Sequence, residues 1–136
     1  MEVEEYIRRK ITRALEKCAL VMEETAKMKC AVADRTYASD EHKSQPHLKD
    51  TIKSKATEST AECWTDAKYA PFIEYGTRAH MIRPKGDNSL HWQDKDGHHF
   101  SKGHMVSGIT SAPFMRPALN NNKDLFLKIF KQELKA

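Results

Sequence analysis

The 136-residue chain predicts an α+β domain: a small antiparallel β-sheet packed by a long N-terminal helix and a C-terminal helix, with long polar loops. Three observations carry this reading. Helical periodicity runs unbroken through residues 2–33, two β-prone runs follow within 48–65, and a second helical stripe closes the chain.

In the first element Ile7, Ile11, Ala14, Leu15, Cys18, Val21, Met22, Thr25 and Ala26 recur at three- and four-residue steps. Arg8, Arg9, Lys10, Arg13, Glu16, Lys17, Glu23 and Glu24 take the other faces. No Gly or Pro interrupts the run, so a helix of roughly 28 residues, ~40 Å long, is expected. The stripe keeps no strict heptad, which favours packing on the chain's own sheet over a coiled coil. Residues 34–47 have no apolar face and read as a polar loop. The runs 48–56 and 59–65 then predict a hairpin turning at Thr57 and Glu58, with Trp64 as its core anchor.

The stretch from Tyr69 to Pro84 concentrates aromatic and backbone-restricting residues. Pro71 suits the first turn of a helix and Gly76 can end one, so Ala70 to Tyr75 is expected to be a short helix. Pro84 disfavours the α region at Arg83, so 77–83 reads as extended. Residues 85–89 carry turn chemistry. Asp96-Gly97 lies between the short runs 90–93 and 98–102 and predicts a second hairpin. Residues 103–112 read as irregular. The last helix is expected to begin near Pro113 with Pro117 at its first position, and Leu119, Leu125, Phe126, Ile129, Phe130 and Leu134 form its stripe. Asn120 to Lys123 weakens its first turns without forbidding them.

Length points to one domain with one core. No apolar run approaches the ~20 residues of a membrane span, and the charged N-terminus lacks a signal-peptide core, so assembly in cytoplasm and no membrane partner are expected. Cys18, Cys30 and Cys63 are widely spaced without a Cys-x-x-Cys pair and read as free, mostly buried thiols. Residues 1–68 hold 13 Lys/Arg against 13 Asp/Glu, and 69–136 hold 10 against 6, so the net +4 lies entirely in the second half. That is a weak footprint for a dedicated DNA binder.

Histidine is the first place to look for catalysis. His80, His91, His98, His99 and His104 fall within 25 positions, which raises a small His-dependent metal nuclease as an alternative. The spacing opposes it: no His-Glu-x-x-His is present, and His98 and His99 must point to opposite faces of a strand. Nucleophile elbows and phosphate-binding glycine loops are absent as well, so no enzyme activity, metal or cofactor is expected. What remains is a protein-binding surface. Glu74, Tyr75, Gly76, Thr77, Arg78, His80 and Arg83, with Phe114 and Arg116 of the Pro113–Leu119 segment, combine the aromatic and Arg chemistry of interface hot spots.

Taken in order, Leu48-Lys-Asp-Thr-Ile52, Tyr69-Ala-Pro-Phe-Ile-Glu-Tyr-Gly-Thr77, His80-Met-Ile-Arg-Pro-Lys85 and Pro113-Phe-Met-Arg-Pro-Ala-Leu119 resemble the tail-completion, or head-tail joining, minor tail proteins of long-tailed bacteriophages and prophages. The resemblance covers residues 48–119. It departs at Gln45-Pro46-His47, where the family often has a Thr-Gly pair, and at His104-Met105-Val106, where it often has a His-Pro-Gly step. It implies a structural virion protein that self-associates into a ring on assembly, with other phage neck and tail proteins as partners and the virion neck or tail as its location. The loops 34–47 and 85–111 would reach those neighbours, and Lys95 and Lys102 would make non-specific contact with genomic DNA in the channel. On this reading Arg78→Glu or Arg116→Glu leaves folding intact and blocks joining.

Overall fold

The computed structural model describes residues 2–30, 36–38, 40–86 and 88–135, without the side chain of His42. The first helix, α1 (Val3–Lys29), carries Glu4 and Glu5 in its first turn and Lys27 and Lys29 in its last, complementing the helix dipole. Its buried residues are Ala14, Cys18, Ala19, Met22 and Ala26, small apart from Met22, so other elements can approach its backbone closely. Its first two turns project beyond the core, leaving Val3, Tyr6 and Ile7 exposed. The predicted residues 31–33 of this helix, and 34, 35 and 39 of the following loop, lie outside the described residues. The rest of that loop is not wholly irregular, since it contains a short helix, α2 (Asp40–Ser44).

A 3-10 turn, Leu48–Thr51, leads into β1 (Ile52–Ala56), which pairs antiparallel with β2 (Ala61–Thr65). The turn is closed by Thr57 and Thr60: the Thr57 N–H donates to the Thr60 carbonyl at 2.8 Å, and their hydroxyls meet at 2.8 Å. Register places Ile52, Ser54, Ala61 and Cys63 toward α1, and Lys53, Lys55, Glu62 and Trp64 on the opposite face. Trp64 is therefore not the core anchor its size suggests. It is half-buried on the outer face, with the Lys55 ammonium 5.8 Å above its ring. We expect Trp64→Thr to cost only about 1 kcal/mol, read as a urea midpoint shift, the scale of an exposed cation–π contact. A loss of several kcal/mol would restore the ring to the core.

The next helix, α3 (Ala70–Tyr75), ends at Gly76 with φ 77, as the Pro and Gly positions predict. The chain then forms β3 (His80–Ile82), the hairpin β4 (Leu90–Asp94) and β5 (Gly97–Ser101), and β6 (His104–Val106), which returns to pair with β3. Residues 104–106 are thus a strand, not irregular: antiparallel pairing with β3 defines a run too short to announce itself. Among the described residues the strands form three two-stranded ladders, and the fold class is α+β as expected.

The C-terminal region is two helices, α4 (Met115–Asn120) and α5 (Lys123–Glu133), broken at Asn121-Asn122. The Asn122 amide donates to Thr25 Oγ1 at 2.9 Å and to the Ala118 carbonyl at 2.8 Å, tying the break to α1. Three consecutive asparagines favour local side-chain bonding over helix continuation, and here they win. Further along α5, Glu133 pairs with Lys17 of α1. The core is Met22, Ala26, Cys30, Leu48, Ile52, Ala70, Phe114 and Ala118, and Phe114 is its one large, fully buried side chain among the described residues. No residue of β3–β6 belongs to it.

Candidate functional site

Helix α4 begins without a capping side chain of its own, because Phe114 stands at the cap position. A helix start leaves its first amides without intrahelical acceptors. Here Glu74, from α3 forty residues earlier, supplies them. Its Oε2 accepts from the Phe114 and Met115 N–H groups at 2.8 and 2.9 Å, and its Oε1 accepts from the Arg116 N–H at 2.9 Å. The next residue is Pro117, which has no N–H to satisfy. Every amide of the first turn is accounted for.

Arg116 completes this clasp. Its Nε donates to Glu74 Oε1 at 3.0 Å, its Nη2 donates to the Glu74 carbonyl at 2.7 Å, and its guanidinium lies 4.9 Å from the Tyr75 ring centroid. Burial by itself raises the Glu74 pKa, but the three amides and the guanidinium outweigh it and hold the carboxyl below its ordinary value.

A second crossing lies alongside. The Thr77 N–H donates to the Ile109 carbonyl at 2.9 Å, the Ile109 N–H donates to Thr77 Oγ1 at 2.8 Å, and Ser111 Oγ donates to the Glu74 carbonyl at 2.7 Å. The backbones touch so closely that a Cβ on Gly108 would sit 1.8 Å from the Thr77 carbonyl oxygen. One on Gly76 would sit 2.6 Å from the Ile109 oxygen.

These contacts divide the residues predicted for a partner interface. Glu74 is buried and Phe114 is fully buried, so both belong to the clasp and the core and present no side chain to a partner. Gly76 and Thr77 serve the backbone crossing. Arg116 is tied to Glu74, and Arg116→Glu would face one carboxylate with another, so the expectation that it leaves folding intact is corrected. Tyr75, Arg78, His80 and Arg83 are exposed. Arg83 stands apart from the rest, in a small polar recess with Pro84, Gly86, Asn88 and Lys102.

No protein-family model matches the chain, and no curated protein or solved structure is significantly similar to it. The site must therefore be read from its own chemistry.

Two grooves flank α3. One, of about 610 Å³, is walled by Met22, Cys63, Ala70, Phe114, Ala118 and Leu119. The other, of about 550 Å³, lies between α3 and the β3–β6 ladder and is walled by Tyr69, Phe72, Ile73, Val106 and Ile109. Phe72 and Ile109 are more than half exposed and were not singled out from sequence. The signal available was the three-residue spacing of Tyr69 and Phe72, which puts both aromatics on one side of a short helix, whereas Tyr75 lines the other groove.

The histidines make other contacts. His91 Nε2 and His98 Nδ1 are 2.9 Å apart, and His91 stacks on Phe100. On the other face Trp92 lies between His99 and His104, while His99 Nε2 bonds Asp94 Oδ1 at 2.9 Å. That bond, with the Asp96 amide, lowers the Asp94 pKa. Among the described residues no three His, Cys, Asp or Glu side chains converge where a metal ion would fit. Burial raises the Cys18 and Cys30 thiols, and burial with Glu23 nearby pushes Cys63 up to about 11, so none is a ready nucleophile at neutral pH. No helix among the described residues is long and apolar enough to cross a membrane.

Proposed function

We propose that the chain is a structural protein of the phage neck or tail end, one that forms a ring completing the tail and joins it to the DNA-filled head. The observation that carries the reading is a coincidence of two kinds of residue. The segments that resemble the tail-completion family are separated by about forty residues in sequence, yet Glu74 of one holds the first turn of the other through Phe114, Met115 and Arg116. A motif set whose members brace one another behaves as a unit, and this unit presents Tyr75, Arg78 and His80 at the surface. An assembly module needs a rigid exposed face and no reacting groups. Other neck and tail proteins, and further copies of the chain, are its partners on this reading, with host cytoplasm as the place of assembly.

The test is electron microscopy of a lysate from a phage or inducible prophage lacking this gene, with plasmid complementation. Separated DNA-filled heads and tails, restored to virions by the plasmid, are expected; intact virions without the gene would end the proposal. In the complementation, Arg78→Glu is expected to give folded protein that does not restore joining, because Arg78 is exposed and makes no ion pair among the described residues. Normal joining by that variant would remove Arg78 from the interface.

A further inference from the structure

Two features of the groove between α3 and the β3–β6 ladder point to the chemistry of what it binds. The first is apolar exposure. Tyr69 is 43%, Phe72 54% and Ile109 53% exposed, and all three wall a groove already lined by Ile73 and Val106. Adjacent aromatic and aliphatic side chains left open to water are the usual mark of a surface covered by a partner. The second is charge. On the α3 side of the groove the carboxylate of Glu74 is buried in the clasp, whereas Lys68 and Arg78 make no ion pair among the described residues. Lys68 and Arg78 directly adjoin the lining residues Tyr69 and Thr77 in the chain. His80 adds a polar group to the wall, its Nδ1 within 3.0 Å of the Arg78 carbonyl. An apolar trough flanked by uncompensated cations calls for an apolar ligand flanked by anions.

The ladder adds a backbone argument. Among the described residues it has two strands, so β6, whose Val106 lines the groove, has no neighbouring strand among them on its other edge. An extended segment can lay backbone hydrogen bonds on such an edge while its alternate side chains enter the trough. The groove is held in shape before anything binds, because Thr77 and Ile109 on its wall are hydrogen-bonded to each other twice.

We infer that this groove docks an extended peptide segment of another protein, with aromatic or aliphatic anchors flanked by aspartate and glutamate. Nucleic acid fits it less well, since phosphates seek a dense row of cations and this wall is mostly hydrocarbon. The inference deepens the assembly reading by naming the partner's chemistry, and it rests on that reading for taking this face as a docking face. Its test uses purified protein, so its failure leaves the result of the gene deletion standing.

The experiment is selection of a randomised peptide display library on the full chain. Selected peptides are then measured by fluorescence anisotropy against the wild type, Phe72→Asp and Arg78→Glu, each shown to be folded by circular dichroism. Enriched sequences should combine apolar anchors with flanking Asp or Glu, and each variant should weaken their binding roughly tenfold or more, as for a hot-spot residue. No enrichment, enrichment of sequences without carboxylates, or affinities indifferent to both substitutions would overturn the inference. So would a single-stranded oligothymidine that binds the groove with the same dependence on Phe72 and Arg78.

Discussion

Glu74→Ala is expected to lower the stability of the fold by about 3 kcal/mol, read as a drop in urea midpoint with unchanged slope. One side chain satisfies the amides of Phe114, Met115 and Arg116, and the first of these bonds is buried. Water has poor access to replace the lost acceptor, so the cost exceeds that of an ordinary exposed helix cap. Glu74→Gln should fall between, keeping the shape and one acceptor but losing the charge that Arg116 matches.

The pH dependence has a definite sign. Because the folded-state pKa of Glu74 is depressed, its contribution is fully present above the unfolded glutamate value of about 4.3, and is lost as pH falls through the lower folded value. The stability gap between the wild type and Glu74→Gln should therefore narrow on acidification below about pH 4.3. Parallel curves down to the lowest measurable pH would show that the ionised carboxylate is not what stabilises the clasp.

Gly108→Ala is the second large effect, a loss of about 3 kcal/mol or more, or failure to fold. The added methyl would meet the Thr77 carbonyl oxygen at 1.8 Å and the Thr77 and Arg78 carbonyl carbons at 2.6 Å. These are backbone atoms, so no rotamer change relieves the clash, and the two strands of the crossing must separate. Gly86→Ala is the control. Gly86, unlike Gly108, has positive φ, but nothing lies within 4 Å of its would-be Cβ, so that variant should lose only about 1 kcal/mol from its backbone conformation. Equal losses at the two positions would mean that the crossing yields easily.

The features legible in the sequence are those whose causes are local. Helix α1 follows from an unbroken stripe, α3 from Pro71 and Gly76, and the β4–β5 hairpin from Asp96-Gly97, because each signal lies within a few residues of its effect. The remainder depended on distant partners. Glu74 reads from its neighbours as an interface residue, and nothing near it in sequence discloses that its acceptors serve amides forty residues away. Phe114 reads as an interface residue from its neighbours, whereas its environment is the buried cluster of Met22, Ala26, Leu48 and Ile52. Trp64 was misplaced by size when strand parity decided its face. The strand at 104–106 depends on β3 for its definition, and Asn120 to Lys123, a weakness by propensity alone, is a break because Asn122 finds Thr25 on α1.

Thr77 and Gly108 mark the two ends of an excursion that holds both the β3–β6 and β4–β5 ladders, and those ends touch. The rest of the molecule meets this stretch as it would meet a short splice. Its length and content can therefore drift, contract or be exchanged for another sequence while α1, the β1–β2 hairpin and the α4 cap stay as they are. Natural variation among descendants of this chain should collect between positions 78 and 107. A graft of foreign sequence there, joined at the same two residues, is the least disruptive way to give the scaffold a new specificity.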